Sequence, residues 1–279
     1  IYARSKATDT HEAGGPSPVL EVKAIASETM KKAVTETHTP YNGTYDGIDH
    51  PAFTVNSGLM EGWTVMYSTS STGYIGKIPN VKNVSDSKDW YVCFSHKYYE
   101  DISIPYKVTV SPKSITPTVS LSSTSITNDG TAKEPTVTVK DETTELKDTD
   151  YTVSGETSAT DAGDYTITVA CTGNYTGSNT AKWTIDKAEP KLENFDVPTL
   201  TSPIPYNGQP VSVTVHTFKN EGGKTGMGNV TVKYNGSTAT PKYVGEYSLT
   251  FSVAEGKNYN ATTSDLNFGT MKIVAVDQT

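Results

Sequence analysis

The stretch DAGDYTITVACTGNYTG, residues 161–177, decides how the rest of the chain is read. An acid, a glycine and a tyrosine lead into alternating side chains, and a second glycine-flanked tyrosine follows. The stretch is either a chemical site or a structural corner repeated along the chain. Alternation places Tyr165, Ile167, Val169 and Cys171 on one face, the expected core face of a strand. The spacing matches a tyrosine corner, in which a Tyr hydroxyl bonds back to the backbone where a strand enters an immunoglobulin-like sandwich. Gly163 permits the sharp bend. No base or nucleophile accompanies Asp161 and Tyr165, so acid–base chemistry is not expected there.

Laying the chain on itself finds the pattern again. SDSKDWYVCFSHKYYED (residues 85–101) and KYVGEYSLTFSVAEGKNYNA (residues 242–261) have the same form, and IYARSKATDTHEAG (residues 1–14) reads as a truncated copy. Gly245 and Tyr247 take the corner places in one copy, and Trp90 takes the tyrosine place in the other. Each copy ends in a closing strand and linker: VLEVKA, YKVTVSPK, KWTIDKA and TMKIVAV. Upstream, the turn glycines Gly47, Gly130 and Gly208 recur about 80 residues apart, a period that suits an independent small β-domain rather than a solenoid repeat.

Composition agrees. Seventeen Tyr against six Phe, with abundant Thr, Val and Ser, favour pleated strands, and 22 Gly and 15 Pro supply turns. The expected fold is all-β: tandem immunoglobulin-like sandwich modules, with β-grasp-like modules as the alternative. Residues 1–24 are the end of a preceding repeat, residues 25–113 module one, 114–188 module two and 189–279 module three. The abrupt start suggests a fragment of a longer chain. SETMKKAVTETH (residues 27–38) reads as strand and connection. The Pro-bearing linkers SPKSITP and DKAEPKL imply semi-rigid joints.

YNGTYDG, DYTV, DAGDYTITV, GNYTG and WTIDKA together resemble the MBG/YDG-type repeats of large bacterial surface and secreted proteins. The resemblance implies an extracellular or cell-surface stalk or adhesion role, with no catalytic residue and no cofactor.

The net charge of −8 offers no basic stripe for nucleic acid, and no apolar run is long enough to span a bilayer. The chain is expected to be a monomer. Cys93 and Cys171 fall in different modules and are expected to be small buried residues without a bridge. His11, His38, His50, His96 and His216 share no metal-ligand spacing and read as surface or structural residues. EGGKTGMG (residues 221–228) lacks the spacing of a phosphate loop and reads as a hairpin loop. KDETTELKDTD (residues 140–150) lacks the ordered oxygen ligands of a calcium loop and reads as a solvated hairpin tip. The Asn-Gly pairs at Asn42, Asn207 and Asn235 read as turns. A Lys–Asn crosslink would need a buried neighbouring acid.

Aromatics are the strongest binding feature. Trp63, Tyr67, Tyr91, Tyr98 and Tyr99 are candidates to stack on a glycan or anchor a host or cell-surface protein, with Tyr74 and Trp90 nearby. The function class is therefore a non-catalytic stalk or adhesion region. A carbohydrate-binding module is the alternative, and an accessory region of a larger secreted enzyme is the remote one.

Overall fold

The computed structural model describes residues 22–70, 72–200, 203–218 and 225–276. They form two compact units: Ile1–Ile115 with Cys171–Thr176, and Thr116–Ala170 with Gly177–Thr279. The opening stretch with His11 lies outside the described residues, as does part of EGGKTGMG.

One four-stranded sheet occurs three times. In order across the sheet, the first copy is Asn42–Thr44, Tyr99–Ser111, Lys88–His96 and Trp63–Ser68. The second is Ser125–Thr127, Ser178–Asp186, Gly163–Cys171 and Tyr151–Gly155. The third is Ile204–Pro205, Leu266–Val274, Gly245–Val253 and Val230–Tyr234. In each, a short first strand runs parallel to the closing strand. The closing strand is antiparallel to the strand before it. A smaller layer faces each sheet: His38–Pro40 with Phe53–Val55, Thr118–Leu121 with Val137–Asp141, and Phe195–Asp196 with His216–Thr217.

Alternation fills the space between the layers. Leu121 and Val137 of the smaller layer pack on Ile167, Trp183 and Ile185 of the second sheet. Phe53 joins Val92, Phe94, Val108 and Val110 in the first unit, and Phe195 joins Phe251 and Val253 in the third copy. Each fully buried side chain of this size contributes about 1.5–3 kcal/mol. The architecture is an immunoglobulin-like β-sandwich, repeated, and not a β-grasp.

The turn after each first strand is built alike. Asp46, Asp129 and Asn207 accept the backbone N–H two residues on, each at 2.9 Å. The intervening Gly47, Gly130 and Gly208 have φ of 79°, 84° and 75°, a region glycine enters without steric cost. Asn235 and Gly236 also both have positive φ, as a tight hairpin requires. Asn42 is a correction: it opens the strand Asn42–Thr44, and the turn lies at Asp46–Gly47.

Residues 27–38 are a second correction. Glu28–Thr35 is an α-helix. Ser27 caps it by accepting the Met30 N–H at 3.3 Å, and Lys31 donates to Glu28 at 2.8 Å. Met30 and Val34, four positions apart, both turn toward the core of the first unit. That single pair outweighs the strand propensity of the Thr and Val residues.

The tyrosine corners form where the repeated motif stands. Tyr165 donates its hydroxyl to the Asp161 carbonyl at 2.5 Å, and Tyr247 to the Tyr243 carbonyl at 2.9 Å. The Tyr165 ring is half-buried and lies 4.9 Å from the Trp183 ring. Trp183 in turn donates its indole N–H to the Glu156 carbonyl at 2.9 Å.

Strand register moves Trp90 away from the corner. Tyr165 faces Trp183, three positions before Asp186, and Asp186 accepts the Asn128 N–H. In the first sheet the corresponding acceptor is Ser111, and three positions before it Val108 faces Lys88. Lys88 therefore holds the corner position and Trp90 the place of Ile167, inside the core. Trp90 Nε1 is buried without a hydrogen-bond partner among the described residues. Ser87 ties this edge instead: it donates to the Val110 carbonyl at 3.0 Å and accepts the Val110 N–H at 2.8 Å.

Cys93 is buried and Cys171 half-buried, and no disulfide joins them. Burial raises the Cys93 thiol pKa, and the charge of Asp101 adds to the shift.

Two outcomes are expected. Tyr165→Phe removes the corner bond and lowers the stability of the second repeat by about 0.5–1.5 kcal/mol. Calorimetry checks this, and an unchanged transition would remove the corner from the stabilising contacts. In a Cys171→Ser background, Cys93 should react with thiol reagents only as fast as the first sheet opens. Its labelling rate should then follow denaturant, and rapid labelling of the native protein would contradict the burial.

Candidate functional site

The aromatic candidates separate into core and surface. Trp63 is 7% exposed and Tyr67 4%, so neither can stack on a ligand while the first unit stays folded. Their strand, Trp63–Ser68, alternates them into the core, which corrects the expectation of exposure. Tyr99 stacks on Trp63 at 5.9 Å and is half-buried, as are Tyr91 and Tyr74. Tyr74 shares a hydrogen bond with Ser103 at 3.0 Å. Tyr98 alone of the five candidates is open, at 63% exposed, with Lys97 Nζ 5.2 Å from its ring centre.

His38 is buried between Phe53 and Phe94. Its Nδ1 is 2.6 Å from the Thr37 hydroxyl and its Nε2 is 2.8 Å from the Tyr67 hydroxyl. Burial holds its pKa below the ordinary histidine value, and burial likewise raises that of Tyr67. His50 pairs with Asp46 at 2.9 Å and stacks on Tyr41 at 4.7 Å. Among the described residues no three His, Cys, Asp or Glu side chains are grouped to hold a metal ion. No helix of these residues is long and apolar enough to cross a membrane. The acidic stretch is a hairpin, with Val137–Asp141 paired to Thr144–Glu145 and Glu142 at positive φ.

The densest polar construction is a joint inside the second unit, where the GKNY tip after the strand Gly245–Val253 meets the DAG corner. Asn258 is 2% exposed, yet each of its polar groups is engaged. Its Oδ1 accepts the Ala162 N–H at 2.8 Å. Its Nδ2 donates to Asp161 Oδ1 at 2.9 Å and to the Thr225 carbonyl at 3.0 Å. Its own N–H donates to Gly226 at 3.0 Å, and its carbonyl accepts the Ala188 N–H at 2.9 Å. Asn260 N–H then donates to the Ala188 carbonyl at 2.9 Å, so the linker becomes a short parallel strand beside the tip. The backbone is packed closely beneath it: a Cβ on Gly256 would lie 2.3 Å from the Gly226 carbonyl oxygen. Ion pairs Lys257–Asp161 and Lys187–Glu255 flank the joint at the surface. The hydrogen bond from Lys257, then that from Asn258, holds the Asp161 carboxyl below its ordinary value.

The first unit contains the same arrangement. Asn174 accepts the Val84 N–H at 2.8 Å and the Lys113 N–H at 2.9 Å, and donates to Asn83 at 2.9 Å. Earlier in that unit, Ala24 N–H donates to the Tyr98 carbonyl and Glu100 N–H to the Ala24 carbonyl, both at 2.9 Å. Linker residues Ala24, Lys113 and Ala188 therefore pair with the tip residues Tyr99, Tyr175 and Tyr259. Sequence reasoning found the tips and the linkers as repeats. It did not join them, although an Asn before a Tyr at both tips was the signal.

The buried His38 makes the first unit sensitive to acid. Folding keeps the imidazole neutral, so its contribution is fully present above the ordinary value of 6.5. As pH falls below 6.5 toward the lowered folded value, the unfolded chain takes up a proton that the folded one refuses, and stability is lost. Denaturant titration of the first unit should show this loss, and His38→Gln should flatten it. A variant with the same pH slope as the parent would assign the loss to other groups.

The model of the MBG domain family matches residues 117–189 and 199–274. No curated protein matches the chain. Similar solved structures include the N-terminal eight Ig domains of Down Syndrome Cell Adhesion Molecule, at 10% identity and a TM-score of 0.33. That match covers 86% of this chain and 40% of that one. Three N-terminal domains of the bacteriophage RB49 Highly Immunogenic Outer Capsid protein are similar at 12% identity and a TM-score of 0.24, covering 86% of this chain and 97% of that one. The Bacteroides ovatus protein SGBP-B, solved with a mixed-linkage heptasaccharide, is similar at 13% identity and a TM-score of 0.19, covering 84% and 66%. The two family matches, one containing Asp161 and the other Asn258, together span more than half of the sequence, and the chain belongs to the MBG domain family.

Proposed function

We propose that this chain is a non-catalytic extracellular repeat region of a bacterial surface or secreted protein, working as a monomeric stalk or adhesion segment without a cofactor. The joint at Asn258 carries this reading. A spacer must hold one repeat against the next, and here the linker is hydrogen-bonded into the following repeat's tip instead of being left as loose chain. The side chains at the joint are committed to each other: Asn258 to Asp161 and Thr225, Lys257 to Asp161, and Lys187 to Glu255. Glycan binding has a weaker basis, because Trp63 and Tyr67 are core residues and, of the five candidate aromatics, Tyr98 alone stands open.

Asn258→Ala tests the reading. It leaves the Ala162 N–H, the Asp161 carboxylate and the Thr225 carbonyl without the side-chain partner that fixes the tip, at a cost of about 1–3 kcal/mol, while Ala188 keeps only its bond to the backbone carbonyl of the loosened tip. The expected result is faster hydrogen exchange at Ala162 and Ala188, and separation of the melting of residues 117–189 from that of residues 199–274. Unchanged exchange and a single unaltered transition would remove the joint from the function. Loss of polysaccharide binding in Tyr98→Ala, with the joint intact, would favour the glycan reading instead.

A further inference from the structure

The same joint has a receiving side on every repeat, and on the third copy no tip covers that side among the described residues. Strand register fixes the equivalences. Ile185 faces Gly163 and Ile273 faces Gly245, so Tyr243, Val244 and Val276 stand where Asp161, Ala162 and Ala188 stand in the occupied joint. Ala162 and Ala188 are half-buried beneath the Asn258 tip. Tyr243 is 69% exposed, Val244 54% and Val276 53%. Three large apolar side chains thus lie at the surface of one corner, at the positions that a tip covers elsewhere in the same protein.

We propose that this corner is a docking surface for the Asn-Tyr tip of a further repeat of this family, joined after Val276. Asn174 and Asn258 show what the tip must supply: a side-chain oxygen for the corner N–H and a backbone carbonyl for the linker N–H. Replacing Asp161 by Tyr243 removes the carboxylate that Lys257 and Asn258 share. The matching tip is therefore one with an uncharged residue before its Asn, as Gly173 precedes Asn174. Val244 and Val276 would contribute apolar contact where the occupied joint uses ion pairs. The tips within this chain already hold Ala24, Lys113 and Ala188, so a second copy of the chain has none of these three to offer. The inference rests on the joint reading above, and Asn258→Ala tests that joint separately.

The test extends the chain. Lys113 and Val276 are equivalent linker positions, so repeating residues 114–188 directly after Val276 preserves the natural spacing. Val244 and Val276 amides should then exchange at least about tenfold more slowly than in the parent chain. Changing the added copy's counterpart of Asn174 to Ala should restore the parent rates. Parent-like exchange at both amides, with the added copy's own strand amides protected, would overturn the proposal. If the added copy does not fold, Asp161→Tyr with Ala162→Val and Lys257→Gly in the unextended chain decides the matter. That set recreates the third corner under a tip with an uncharged residue before its Asn. Continued protection of the residue-162 amide supports the proposal, and exchange at an exposed-loop rate sinks it.

Discussion

The structure depends on a single constraint: a linker backbone that leaves one sheet and enters the next must have its N–H and C=O groups paired. Ala188 meets that constraint by donating to Asn258 and accepting from Asn260. A Pro-bearing linker would ordinarily be read as a spacer set by φ restriction alone. Here the linker is a parallel strand of minimal length, and Pro190 is buried just beyond it. Once Ala188 is fixed to the tip, the tip must lie against the DAG corner, and the corner must present a backbone N–H in the right place. The tyrosine corner provides that. Tyr165 holds the Asp161 carbonyl from behind, which leaves the Ala162 N–H and the Asp161 carboxylate turned toward Asn258.

This arrangement explains why the opening motif is repeated, and why its acid is not repeated with it. The Tyr hydroxyl needs only a backbone carbonyl, which Tyr243 supplies to Tyr247 as well as Asp161 does to Tyr165. The carboxylate of Asp161 serves the neighbouring repeat, not the corner. Of the two interactions it makes, the exposed pair with Lys257 is of the class worth little in water. The bond from Asn258, whose side chain is almost fully buried, is the one that would leave unsatisfied groups if lost. Asn suits this position because it carries a donor and an acceptor on a short side chain with no charge to desolvate.

Much of the fold was legible in the sequence because it follows from short-range rules. Period-two alternation put Ile167 and Val169 in the core, and the turn glycines marked the ends of the first strands. The misreadings share a cause, which is that register and burial depend on partners distant in sequence. Trp90 looks aligned with Tyr165 when the strands are matched by their aromatics. Pairing with Asn42–Thr44 at the far edge shifts it by two positions into the core. Trp63 and Tyr67 looked available until the opposing layer, with Phe53 and His38, was placed over them. The helix Glu28–Thr35 was hidden because its amphipathic signal is one i, i+4 pair in eight residues.

The joint was less legible than the fold, and the reason lies in the kind of contact involved. A buried Asn in a glycine-rich tip has the same local signature as a turn-forming Asn, and local propensity explains both. What separates them is the destination of the side chain. Asn207 points back to its own turn, to Gln209, and Asn235 reaches the next strand of its own sheet at Ser248, while Asn258 reaches Asp161, 97 positions away. The repeat itself contains the information needed to tell them apart. Asn174 and Asn258 stand at the same place relative to a linker that is also repeated, whereas Asn207 and Asn235 have no linker in register with them. A polar residue that recurs with the linker, and not with the turn, marks a contact between repeats. In a tandem protein the repeated unit is therefore the sandwich together with the surface on which its neighbour sits.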